Sequence, residues 1–258
     1  MSRARSLLPA GAVLVGLLAV WELAARTGVL ASLFSIEDFL VPAPSEIAEA
    51  LWNDRELLAE DAWVTLREVV LGFGLALAAG LSFAILIHLS ETARRALYPL
   101  LVASQTIPIV VLAPILVVIL GFGIGPKLVI VGLICFFPIT VNTLDGLRSV
   151  DPDLIKMMRT LGAGRLQILR RAEAPSALPY AFSGAKIAVA VAVIGAVFGE
   201  WAGSDSGLGH LMLQASAQLL TARLFAAVVV LSTFAIALFA LLALLERRVA
   251  WWGTREAR

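Results

Sequence analysis

The groups able to do chemistry in this 258-residue chain lie within or beside long apolar stretches, and that setting limits what they can do. Ser104 and Gln105 sit just before Pro108 and Pro114 in the uncharged run between Arg95 and Lys127. A proline removes a backbone donor and bends a helix, so polar side chains and freed carbonyls come together there. Inside an apolar slab that combination is either part of a polar path or a kink made for packing. Asn142 and Thr143, near the end of the next apolar run, either face the same path or bond across helices. Glu200 and Trp201 end a later one: an outer gate or docking contact, or an interfacial aromatic anchor beside a solvated acid. His88 and His210 are isolated, with no second ligand at metal spacing. The single Cys135 excludes a disulfide framework and a paired-cysteine metal site, and its apolar surroundings suit a packed thiol. Gly121, Gly123 and Gly125 before Pro126-Lys127 superficially look like a phosphate-binding loop, but the Gly-Lys-Ser/Thr ending is missing. No Ser/His/Asp set or close acid pair supports catalysis.

The elements that must position these groups follow from composition. The chain is 60% apolar and 15% charged, against roughly 45–50% and ~25% in a soluble domain. A soluble fold could not hide so much apolar surface, and a net charge of +1 gives no reason to expect nucleic acid. A membrane helix needs ~20 mostly apolar residues, because the hydrocarbon core is about 30 Å thick. Six stretches qualify, at about 7–25, 69–89, 97–120, 128–147, 179–201 and 224–245. The fifth is the weakest on hydropathy, with only 13 uncharged residues between Lys186 and Glu200.

Charge placement gives an orientation, because basic residues are retained on the cytoplasmic side. With the N-terminus inside, 15 of the 20 Lys and Arg fall on inner segments, while acids from Glu37 to Asp61 crowd the first outer loop. Six spans with both termini cytoplasmic is the consistent solution, and residues 1–258 then form a single transmembrane domain. A cleaved signal peptide is the alternative for the N-terminus. Its apolar region is longer than the usual 7 to 15 residues, and no clean small-x-small site follows.

The most informative inner segment is the loop at 148–178. Asp151 before Pro152 reads as a helix start, the carboxylate capping free N–H groups and the proline pre-set for the first position. Gly162 suits a helix stop at positive φ. A second short helix is expected from about Arg165 to Ala172, ending before Pro175, with Arg170 and Arg171 at the membrane surface. On the residues alone this is a coupling element or an amphipathic surface helix.

The spacing from Gly162 to Pro175, followed by Leu178-Pro179-Tyr180, resembles the loop of permease subunits of bacterial ABC importers: Glu-Ala-Ala, three residues, Gly, nine residues, then apolar-x-Leu-Pro. This chain departs from it with Lys156, Met157 and Met158 in place of Glu-Ala-Ala, and with Ala172 and Ala174 before the proline. WELAARTGVL at Trp21 to Leu30, FLVPAPSEIAEAL at Phe39 to Leu51, the run from Leu97 to Lys127, and GAVFGEWAGSDSGLGHLM at Gly195 to Met212 are similar to nitrate, sulfonate and taurine importer permeases. Within that group, Ser183 to Trp201 looks most like permeases for pyrimidine precursors of thiamine.

The resemblance implies an all-α membrane protein, a six-helix MetI-like bundle of the type I importer class in the bacterial inner membrane. It implies that Asp151, Lys156, Gly162, Ala163, Arg165 and Pro175 belong to a coupling helix docked on a separate ATPase, which uses ATP and Mg; this chain binds no cofactor or metal of its own. The further partners implied are an extracytoplasmic substrate-binding protein, a second permease copy and membrane lipids, and no nucleic acid. Ser104, Gln105, Pro108, Asn142, Glu200 and Trp201 are the candidates for the translocation path. A secondary transporter would need coupling-ion residues near mid-membrane, and the span centres carry no Asp, Glu, Lys or Arg. A membrane-embedded enzyme would need a clustered catalytic set, and none is visible.

Overall fold

The computed structural model describes residues 2–34, 37 and 40–252. Every regular element among them is helical: α1 (Ser2–Arg26), α2 (Val29–Phe34), α3 (Pro44–Asn53), α4 (Arg55–Leu89), α5 (Glu91–Ser104), α6 (Ile109–Leu120), α7 (Ile124–Arg148), α8 (Pro152–Thr160), α9 (Arg165–Ile168), a π-helical turn (Leu169–Glu173), α10 (Ala174–Gly203), α11 (Leu208–Ala217) and α12 (Thr221–Val249). Among the described residues, four helices are long and apolar enough to cross a membrane: Arg55–Leu89, Ile124–Arg148, Arg165–Gly203 and Thr221–Val249. These lie over four of the expected stretches, and the 7–25 stretch lies on α1. The helices outrun their apolar cores because polar ends continue them: α4, with 35 residues, is about 50 Å long at ~1.5 Å per residue.

The bend expected from the prolines of the third span, 97–120, is a complete break between two helices. The span's residues fall on α5 and α6, which meet at 101° and make a fifth span if counted together. Pro108 caps α6 in an extended conformation (φ −64°, ψ 124°). It has no N–H to give, and it disfavours helical backbone at the residue before it. The end of α5 is sealed locally, with Ser104 Oγ donating to Leu101 O at 2.7 Å and Thr106 Oγ1 to Ala103 O at 2.8 Å.

The inner loop starts as its sequence dictates. Asp151 caps α8 by accepting from the Asp153 N–H at 2.8 Å, with Pro152 in the first turn. Gly162 ends the helix at φ +82°. The N–H groups of Gly162 and Ala163 then return to the carbonyls of Arg159 and Met158, closing a glycine-terminated helix stop. The expected second helix does not end before Pro175. From Arg165 the chain stays helical through to Gly203, and the π-helical turn at Leu169–Glu173 lies where Pro175 would otherwise break the ladder. Pro175 therefore sits in the first turn of α10, where a missing N–H costs little.

The chain divides into two compact units, Met1–Trp63 with Ser206–Leu231, and Val64–Asp205 with Ser232–Arg258. In the second, α7 packs on α10 along a face of small side chains. Ala185, Ala188, Ala192 and Ala196 are buried there, and small residues allow the close backbone approach that membrane helices use in place of a hydrophobic drive. At Gly184 the approach is tightest: a Cβ would lie 2.6 Å from the Pro138 carbonyl oxygen. Cys135 belongs to this seam, its thiol 3.3 Å from the Ala188 carbonyl.

In the first unit, polar ties join chain segments far apart in sequence. Arg223 holds Asp54 with two bonds of 2.7 and 2.9 Å. The Gly207 N–H donates to buried Asp61 at 2.7 Å. Glu22, near the end of α1, accepts from the N–H and hydroxyl of Ser45 at the start of α3, at 3.0 and 2.8 Å.

Candidate functional site

Within the second unit, three helices bring ionisable side chains together out of reach of solvent. Thr65 and Glu68 lie three residues apart on one face of α4, and Lys127 enters the first turn of α7. Glu200 lies in the last turn of α10, followed by Ser204 at its cap. Lys127 Nζ donates to Glu68 Oε1 and to Ser204 Oγ, each at 2.6 Å. Thr65 Oγ1 donates to Glu200 Oε1 at 2.6 Å. Glu68 and Glu200 are each 1% exposed and Lys127 5%. Such desolvation is tolerable only with partners in place, and removing one member of a buried pair typically costs about 3 to 5 kcal/mol.

Of the two readings open for Glu200, the solvated acid beside an interfacial tryptophan does not fit a carboxyl so deeply buried. Trp201 does face outward, with its ring edge-on to Phe198 at 5.6 Å, while the neighbouring carboxyl points into the bundle. Glu68 and Lys127, which on sequence alone mark only the ends of uncharged runs, are also interior. The available signal was their level. Glu68, Lys127 and Glu200 all fall at the expected outer ends of the second, fourth and fifth spans, where opposite charges at one depth can pair.

The inner loop has a different character. α8 buries none of its residues, and Leu154, Met157 and Leu161 fall on one side at helical spacing, all exposed. Leu161, at the bend itself, is 78% exposed. Lys156 is paired with Asp153 at 2.8 Å, both well exposed. Beyond the bend, Arg165 Nη2 donates to the His88 carbonyl at 3.2 Å, and His88 Nε2 lies 2.9 Å from Glu173 Oε2. The π-helical turn is thus tied to the end of α4 by His88, which on sequence alone is an isolated histidine.

Behind α8 lies a cavity of about 1260 Å³. Asp151, Leu154 and Met158 form one side, Pro175, Tyr180 and Lys186 another. Lys186 Nζ meets Glu246 Oε2 there at 2.7 Å, joining α10 to the last turn of α12. Of the coupling candidates, Asp151 and Pro175 line this cavity, while Lys156 lies in the middle of α8 and Gly162, Ala163 and Arg165 belong to the bend.

The six path candidates fall in three places. Ser104, Gln105 and Pro108 share the exposed break between α5 and α6. Asn142 is half-buried on α7 and donates its amide to the Pro138 carbonyl of its own helix at 2.8 Å. Glu200 and Trp201 are at the far end of α10.

Comparison with known proteins assigns this arrangement. The family model described as binding-protein-dependent transport system inner membrane component matches residues 72–251. A probable ABC transporter permease protein of Haemophilus influenzae is 37% identical over 91% of this chain and 94% of its own length. The formylaminopyrimidine transport permease protein ThiX of Halalkalibacterium halodurans is 36% identical over 93% and 94%. Among solved structures, the inward-facing MetNI methionine ABC transporter matches with a TM-score of 0.65 over 77% of this chain and 96% of that one, at 22% identity, which shows a shared fold. The chain belongs to the family of binding-protein-dependent transport system inner membrane components and is the permease subunit of an ABC importer.

Proposed function

We propose that the permease is driven through α8 and the Gly162 bend by a separate ATPase. The observation that carries this is the uncovered apolar side of α8. Met157 and Leu161 are exposed, Leu154 beside them is exposed at the rim of the cavity, and contiguous exposed apolar surface marks an interaction site. Asp151 and Gly162 fix the two ends of that helix, and the ties from Arg165 and Glu173 to His88 give a rigid route from the bend into α4 and α10. Lys156, in place of the family's acid, means that the ATPase groove meeting it differs in charge from that of a Glu-Ala-Ala permease.

In this reading the ATPase holds ATP and Mg, and the permease hydrolyses nothing. An extracytoplasmic binding protein delivers substrate, and two permease copies frame the path. Both termini are cytoplasmic. The broken third span supplies the path with Ser104, Gln105 and the carbonyls freed around Pro108, with Asn142 and Trp201 on neighbouring helices. Glu200 acts on the path through the helix ends it ties. The similarity to a formylaminopyrimidine permease favours a pyrimidine precursor of thiamine as substrate, with sulfonates, taurine and nitrate as the competing class. Ligand screening of the binding protein separates them: pyrimidine binding supports the assignment, and sulfonate, taurine or nitrate binding replaces it.

The coupling role is tested by co-purification. Leu161→Asp should reduce the ATPase recovered with the permease about tenfold, as loss of a central apolar anchor does, while permease abundance in the membrane holds. Undiminished recovery would remove α8 from the interface.

A further inference from the structure

A second cavity, of about 350 Å³, lies between the start of α5 and the end of α7, lined by Arg94, Arg95, Tyr98, Pro99 and Arg148. Three of the five lining residues are arginines. One carboxylate answers them. Glu91 is bonded by Arg94 and by Arg95, the latter at 3.1 Å; these bonds, Arg94's first, hold its carboxyl below the usual range. Asp145 is exposed one turn before Arg148 but neither lines the cavity nor forms an ion pair with it. Arg148 has no hydrogen bond or ion pair among the described residues, so the cavity holds an excess of two positive charges with one fork of donors unused. A guanidinium fork matches the paired oxygens of a phosphate.

The position of the cavity decides which phosphate. It lies where α5 passes from charged to apolar sequence: Tyr98 and Val102, one turn apart on the side of α5 that carries Arg94 and Arg95, are both exposed. A headgroup held by the arginines would therefore leave its acyl chains along an apolar helix surface. Basic pockets between membrane helices on the cytoplasmic side take anionic headgroups in this way.

We infer that Arg94, Arg95 and Arg148 form a binding site for the phosphodiester headgroup of an anionic inner-leaflet lipid. The leaflet rests on the proposed orientation; the site itself does not. Titration of the full-length chain in detergent, where orientation plays no part, tests it. Phosphatidylglycerol should bind the wild-type protein, and Arg148→Gln should weaken that binding about fivefold, the effect of one basic contact at a membrane surface. Phosphatidylcholine and inorganic phosphate should neither bind nor compete. Replacing Arg247 and Arg248 at the end of α12 by glutamine, outside the cavity, should change nothing. Equal binding by wild type and Arg148→Gln, an equal loss in the α12 variant, or displacement by inorganic phosphate would each overturn the assignment. None of these outcomes bears on the coupling loop, whose co-purification test stands apart.

Discussion

At the scale of single residues, the tightest constraint is one ammonium serving a buried carboxylate. With Lys127 donating to Glu68 and Ser204, Lys127→Met strands a carboxylate in an apolar bundle, and the variant should lose about 3 to 5 kcal/mol of stability. Thermal aggregation of the detergent-solubilised protein would show this as an earlier onset. Adding Glu68→Gln should restore part of the loss, because the stranded charge is then gone. A double variant less stable than Lys127→Met would show that the pair is not the source. Glu200→Gln keeps an oxygen to accept from Thr65, so it should cost only about 1 kcal/mol and still impair uptake if the cluster governs the outer end of the path. Unimpaired uptake would leave Glu200 a packing residue. The sequence made Glu200 visible as a polar group at the end of an apolar run. It did not show that the side chain points inward, because helix rotation depends on which neighbour presents a donor, and Thr65 is 135 positions away.

At the scale of elements, α8 and its glycine stop are the parts whose form derives most directly from local sequence. A carboxylate before a proline begins the helix, and a glycine at positive φ ends it, without help from distant residues. Gly162→Val places a β-branched side chain where φ is +82°, at a backbone cost of about 1 to 2 kcal/mol. The helix stop should loosen, and ATP hydrolysis by the assembled transporter should lose its coupling to uptake. Coupled transport at the wild-type ratio would count against docking at the bend. The helix beyond the bend was not legible in the same way. Pro175 looks like a terminator, but the chain passes it through a π-helical turn that Arg165, Glu173 and His88 brace, and His88 comes from a different helix. The break at 105–108 was half legible. Its prolines announced a bend, while its 101° angle depends on the packing of the flanking helices.

At the scale of the whole molecule, the excess of basic residues on one set of segments and acids on the other supports the proposed orientation, which reporter fusions check. A reporter active only outside the cytoplasm should signal after Ser206 and stay silent after Arg165; the reverse would invert the topology. Four of the apolar stretches of the sequence lie on helices long and apolar enough to cross a membrane, because an apolar run of spanning length has few other uses. They could not show that α4 and α7 carry a shared ion pair, since Glu68 and Lys127 lie at the margins of those runs and look like boundaries.

The most direct measurement is uptake into lipid vesicles containing this chain alone, or with its ATPase and binding protein. The permease alone should hydrolyse no ATP and accumulate no substrate, while the full assembly should accumulate substrate only with ATP, and Gly162→Val should hydrolyse ATP without accumulation. Active accumulation by the lone chain, or full transport with the Gly162 bend disrupted, would contradict an importer driven through its inner loop.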